Sequence, residues 1–232
     1  MRTIGTIRSI WDGLDFTYLL SIILGLVPSL ICITLHEVSH GLVAYKFGDD
    51  TAKAAGRLTL NPLKHLDPMG LLMMLVFHVG WAKPVPVNMF RFSRPKQGMA
   101  ITALAGPVSN LIIAIVFMFL YGVGYIPLGM SAVGGYFLLM LQLTAYISLG
   151  LAVFNLIPIS PLDGSKVLFA LMPDEKYYKL MRYEKYGSII MFALVATGVL
   201  GRPLSAAIDA LYALLIPIAQ GGCDIIFYLF YK

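Results

Sequence analysis

Five consecutive residues, His36-Glu37-Val38-Ser39-His40, are the ones best placed to do chemistry. On a helix, positions i and i+4 share a face, so both imidazoles reach one metal ion. Glu37 falls about 100° further round, beside such a site rather than in it. Two ligands and a neighbouring carboxylate base are the arrangement of a zinc metalloprotease. The bland alternative is a pair of histidines satisfied inside a helical bundle. Ionisable groups at membrane depth are costly and default to function, which favours metal binding.

A catalytic zinc takes three protein ligands and keeps one position open. Asp163 is the candidate third ligand, in Asn155-Leu-Ile-Pro-Ile-Ser-Pro-Leu-Asp-Gly164. Pro158 and Pro161 must interrupt a helix there, so backbone can open around a site. Read alone, Asp163-Gly164 is also a turn after a helix. With one zinc, two neutral imidazoles and one carboxylate leave a net charge of +1, which Glu37 brings to zero. Asn110 and Gly106 are four apart and share a face, with Ala103 and Ser109 as small neighbours. Asn110 is a candidate donor to a scissile carbonyl or its oxyanion, or else it joins helices. Asn155 carries the same two readings.

The elements that must position these residues are apolar. The chain has 232 residues, 59% hydrophobic and 12% charged, with mean hydropathy +0.81. A soluble domain is about half apolar and a quarter charged. An ordinary cytosolic enzyme, a disordered chain and a coiled coil are excluded. An all-α polytopic membrane protein with about five to six transmembrane helices is predicted. Residues 1–232 form a single domain, with a core over about 16–187 and extra helices over 188–232. Residues 16–35 alone are 20 without a charge, about 30 Å as a helix. Residues 98–122 and 136–157 are two further spans. Residues 69–80 are short for a span and read as a re-entrant or buried segment that includes His78. Trp81-Ala-Lys-Pro-Val-Pro-Val-Asn88 carries alternate prolines, which favour an extended strand or edge. His65 and Asp67 read as residues ordering a loop by turn bonding, or else as groups that support the site or gate substrate. The run 176–185 reads as a charged surface helix, followed by short apolar segments at 188–200 and 204–219. An interfacial helix is expected after Gly221-Gly222.

The net charge of +5 comes from Lys and Arg in short loops. They set topology and meet anionic lipid, so no nucleic-acid partner is expected. Stretches 46–68, 81–97 and 159–186 hold 4, 4 and 5 of the 17 basic residues, and 123–135 holds none. The basic stretches are therefore predicted to be cytoplasmic, with the site nearer that side. A divalent metal transporter is one rival reading. It calls for further charge inside the spans, and residues 98–157 contain none. A catalytically silent scaffold is the other, and the intact Glu37 argues for activity.

The HExxH motif in the first long span, Ala105-Gly-Pro-Val-Ser-Asn110 in a middle span, and Asn155…Pro158…Leu162-Asp163-Gly164 after a later one resemble the site-2 protease family. The resemblance covers about residues 16–187. It implies that His36, His40 and Asp163 bind one zinc per chain, that Glu37 is the base, and that the substrate is another protein's transmembrane segment. It also implies an integral membrane protein, here of a prokaryotic plasma membrane. The length leaves no room for the PDZ or CBS domains of many relatives, so regulation through them is not expected. A helical substrate must unwind to be cut, and its freed backbone groups need partners. Residues 80–88 are the candidate edge for such strand addition.

Overall fold

The computed structural model describes residues 16–70 and 82–231. Within them, four helices are long and apolar enough to cross a membrane. These are α1 (Phe16–Lys46), α2 (Pro95–Leu128), α3 (Ala132–Asn155) and α6 (Gly201–Tyr231). The short α4 (Asp163–Ala170) and the longer α5 (Asp174–Ala196) lie between α3 and α6. The all-α polytopic architecture is as expected, and the described residues account for four of the expected five to six spans. The charged run and the apolar segment after it are one helix, α5, whose apolar part, Tyr186–Ala196, is too short to cross alone. The separate apolar and interfacial pieces expected at the C-terminus are also one helix, running through Gly221 and Gly222. The re-entrant expectation for 69–80, with His78, lies outside the described residues from 71 onward.

Helices α1, α2 and α3 pack against one another, and α6 lies against α2 and α3. Ala114, Met118, Ala145, Leu149, Ile208, Leu215 and Ala219 form the core of that second layer. A side chain on Gly122 would run into the Ala219 carbonyl, and one on Gly222 into that of Phe119. Small residues at such crossings are what let membrane helices approach.

Between α1 and α2 the chain is held by polar bonds rather than by a sheet. Among the described residues the expected strand is a single antiparallel bridge, Leu66 to Ala82. Lys83 N–H donates to the His65 carbonyl at 2.9 Å, and Arg57 Nη2 donates to the Lys83 carbonyl at 2.6 Å. His65 itself bonds the Thr59 carbonyl at 2.9 Å, and Asp67 accepts from Gly70 N–H at 2.9 Å. Both order the loop. Val85 N–H donates to Glu37 Oε2 at 2.8 Å, and Asn88 N–H to Asp49 Oδ2 at 2.6 Å. Pro84 and Pro86 have no N–H. Of the amides in 83–88, only that of Val87 is not committed in these bonds.

Asp49 is fully buried and also accepts from the backbone and hydroxyl of Thr51. Burial pushes its carboxyl up, but the Thr51 and Asn88 bonds and the Arg91 charge outweigh that and hold it below the usual carboxylate range. A depressed folded-state value stabilises the fold above about pH 4 and is lost as pH falls through that lower value. Asp49→Asn is therefore expected to cost about 1.5–3 kcal/mol near neutrality, the range for hydrogen bonds to a charged group. It should also flatten the acid limb of stability. Thermal unfolding in detergent from pH 3 to 7 checks both, and an unchanged profile would remove Asp49 as the anchor.

Candidate metal centre

α1 places His36 and His40 one turn apart, with rings edge-on and centroids 4.6 Å apart. Their Nε2 atoms are 3.0 Å apart, and Asp163 Oδ2 is 3.2 Å from each. All three residues are buried. Tetrahedral ligands at 2.0–2.1 Å from a zinc are about 3.3 Å from one another. A triangle of two nitrogens and an oxygen with edges of 3.0, 3.2 and 3.2 Å fits one face of that tetrahedron.

The far sides of the rings point to the same chemistry. His40 Nδ1–H donates to the Thr102 carbonyl at 2.7 Å, which leaves Nε2 a lone pair facing Asp163. The Asn110 amide lies 3.1 Å from His36 Nδ1, while its Oδ1 has no partner. With amide oxygen and nitrogen exchanged, Oδ1 accepts from His36 Nδ1–H, and His36 Nε2 is freed in the same way. Ligating histidines are commonly held by such an acceptor. Asn110 is 0% exposed, so its place is behind His36 and not on the cavity wall. Asn110→Leu is expected to weaken metal affinity about 10–100-fold, and Asn110→Asp, which keeps an acceptor, to restore most of it. Competition with a metal indicator checks this. Equal affinity in Asn110→Leu would leave the residue a role in helix packing alone.

Gly106 forms the floor of the site. A Cβ there would lie 2.5 Å from His36 Cε1 and His40 Nε2, and 2.6 Å from His36 Nε2. Gly164 has a matching role, because a side chain on it would strike the Leu156 carbonyl. Its absence lets the first turn of α4 seat on the end of α3 and bring Asp163 to the histidines. Burial alone would raise the Asp163 carboxyl. The two imidazoles and Lys166, whose Nζ is 3.9 Å from Oδ1, outweigh burial and hold it well below the usual carboxylate range.

Glu37 is half-buried and lines a cavity of about 450 Å3 together with His36, His40, Asp163, Asn155 and Lys166. Asn155 donates to the Leu151 carbonyl at 3.0 Å, in the last turn of α3. The structure thus gathers His36, Glu37, His40, Asn155 and Asp163 around one space, and sets Asn110 behind it. Sequence reasoning passed over Thr102 and Lys166. Extending the Gly106–Asn110 face back one turn reaches Thr102, and Lys166 follows Asp163 by one turn of α4.

Comparison with known proteins points to zinc metalloproteases. The family described as Peptidase family M50 matches over residues 123–200. "Putative zinc metalloprotease YwhC" of Bacillus subtilis (strain 168) is 41% identical over 220 residues, 92% of this chain and 94% of that protein. Two proteins with the same description are 33% identical. Rip2 of Mycolicibacterium smegmatis aligns over 75% of this chain and 66% of its own, and MJ0611 of Methanocaldococcus jannaschii over 66% and 75%. No solved structure matches the chain.

Proposed function

The chain belongs to peptidase family M50, the site-2 protease family, and on that premise we propose that it is a zinc-dependent endopeptidase cutting transmembrane segments of other proteins within the bilayer. The observation that carries this reading is the buried group of His36, His40 and Asp163, whose ligand atoms lie within 4.8 Å of one another on and beside a membrane-length helix. These three would hold the metal. When bound, zinc supplies Lewis acidity, lowering the pKa of a water and polarising a carbonyl.

Glu37 takes the proton of the attacking water and returns it to the leaving nitrogen. Its Oε2 is engaged by Val85 N–H, which leaves Oε1 for the proton. Asn155 is a candidate support for the scissile carbonyl, from the cavity wall. The segment 82–88 borders the same cavity and offers carbonyls to an unwound substrate backbone. The Lys and Arg of the loops support a site nearer the cytoplasmic side, and the bacterial and archaeal relatives support a prokaryotic plasma membrane.

Metal content of detergent-purified protein is the direct test. About one zinc per chain is expected in wild type and Glu37→Gln, with clear loss in Asp163→Ala. The wild type should also cut a transmembrane-segment reporter, lose that activity to a chelator, and regain it with zinc. A wild type without metal, or an Asp163→Ala protein that keeps it, would overturn the reading.

A further inference from the structure

A second cavity, of about 280 Å3, meets the first at His36, Glu37 and Asn155. It lies between α1 and α3. Leu26, Leu30 and Ile33 form one wall, and Leu151 and Phe154 the other. The α1 residues are three to four apart, so they form a single stripe that ends at the reactive pair His36-Glu37. Leu162, next to the proposed ligand Asp163, also lines it. The one hydroxyl on the α1 stripe, that of Ser29, donates to the Gly25 carbonyl at 2.8 Å. The two cavities differ in character: Lys166 lines the larger one, and among the described residues no Lys or Arg lines the smaller.

We infer that this chamber is a specificity subsite. It receives one large apolar side chain, of leucine or phenylalanine size, from the residue next to the scissile bond. The inference rests on the intramembrane protease reading and names what that site selects. An apolar cavity of about 150 Å3 already holds a benzene ring, so the size is sufficient. The physics of selection follows from the solvent. Lipid tails are as apolar as the chamber, so a substrate arriving from the bilayer gains no hydrophobic driving force by filling it. Discrimination comes instead from fit. A small side chain leaves wall atoms without dispersion partners. An acidic one is rejected because the described lining residues hold no Lys or Arg, and a basic one would have to compete with Val85 N–H for the Glu37 carboxylate.

Hydroxamates of the form R–CO–NHOH test this without a known substrate. R is methyl, isobutyl, benzyl or naphthylmethyl, and binding to zinc-loaded wild type, Ile33→Trp and Phe154→Ala is measured by calorimetry. In wild type, affinity is expected to rise about tenfold or more from methyl to benzyl, because these probes arrive from water. Ile33→Trp, which narrows the chamber beside Glu37, should abolish that rise yet bind acetohydroxamate as wild type does. Phe154→Ala should move the optimum to naphthylmethyl. Equal zinc content in the three proteins shows that the metal centre is intact. Either variant decides the matter alone if the other fails to fold. A wild type indifferent to R, or a rise that persists unchanged in both variants, would overturn the subsite while leaving the protease reading in place. Failure of acetohydroxamate to bind zinc-loaded wild type would overturn the metal-centre reading, and the subsite with it.

Discussion

Gly106→Ala is expected to empty the metal centre while sparing the helix that carries it. The added Cβ would sit 2.5–2.6 Å from ring atoms of both histidines, closer than real Cβ contacts come. Ring ends are normally mobile and could step aside. These are not free to do so, because His40 is tied to the Thr102 carbonyl and His36 faces Asn110. A shift that relieves the clash must therefore break an outer bond or open the ligand triangle. Either result separates donors that have to converge within a few tenths of an ångström. Zinc occupancy should fall from about one to below about a tenth. Alanine is also roughly 0.5–1 kcal/mol better than glycine in a helix interior, which offsets much of a broken outer bond, so the metal-free variant should unfold within a few degrees of metal-free wild type. Zinc content beside the thermal unfolding of both metal-free proteins separates the two effects. A Gly106→Ala protein that still holds a full zinc would show that the rings do not converge over this glycine.

Glu37→Gln should lower cleavage of a transmembrane reporter by about 10²–10⁴-fold, the span attributed to a positioned acid–base group. The substitution isolates proton transfer unusually well here. The amide oxygen of glutamine can still accept from Val85 N–H, so the segment over the cavity stays anchored. The metal ligands are untouched. Glu37→Ala would remove the base and the anchor together, and is expected to destabilise the loop as well. Single-turnover cleavage, with zinc content measured on the same samples, compares the three proteins. Cleavage by Glu37→Gln within a few-fold of wild type would dismiss Glu37 as the base.

Much of this was legible in the residues because it is local and periodic. The i, i+4 spacing of His36 and His40 puts them on one face whatever surrounds the helix. Asp163 was legible because Pro158 and Pro161 break the chain just before it. The helices around 16–46, 98–122 and 136–157 announce themselves by uncharged length. The C-terminal half was harder. Gly221-Gly222 reads as a break on propensity alone, yet α6 runs through it, and Gly222 sits where a side chain would meet the Phe119 carbonyl of α2. Packing overrode propensity there. In α5, a solvated charged run and an apolar segment share one helix, a continuity that no boundary residue marks. The bonds that finish the site are non-local. Val85 meets Glu37 across 48 positions and Thr102 meets His40 across 62, distances over which no sequence pattern operates.

The prolines flanking Val85 bear on something other than catalysis. An uncovered run of backbone in a crowded bilayer invites neighbouring chains to zip onto it, and sheet growth of that kind is self-propagating. Propagation requires each added chain to find both acceptors and donors in alternation. With residues 84 and 86 lacking amides and those of 83, 85 and 88 already spent, the segment meets only half of that requirement. A visiting backbone can donate to it but receives almost nothing in return. Its own carbonyls stay unsatisfied until water or a side chain reaches them, so its stay is brief. That stretch of backbone is thereby protected from becoming a seed for aggregation.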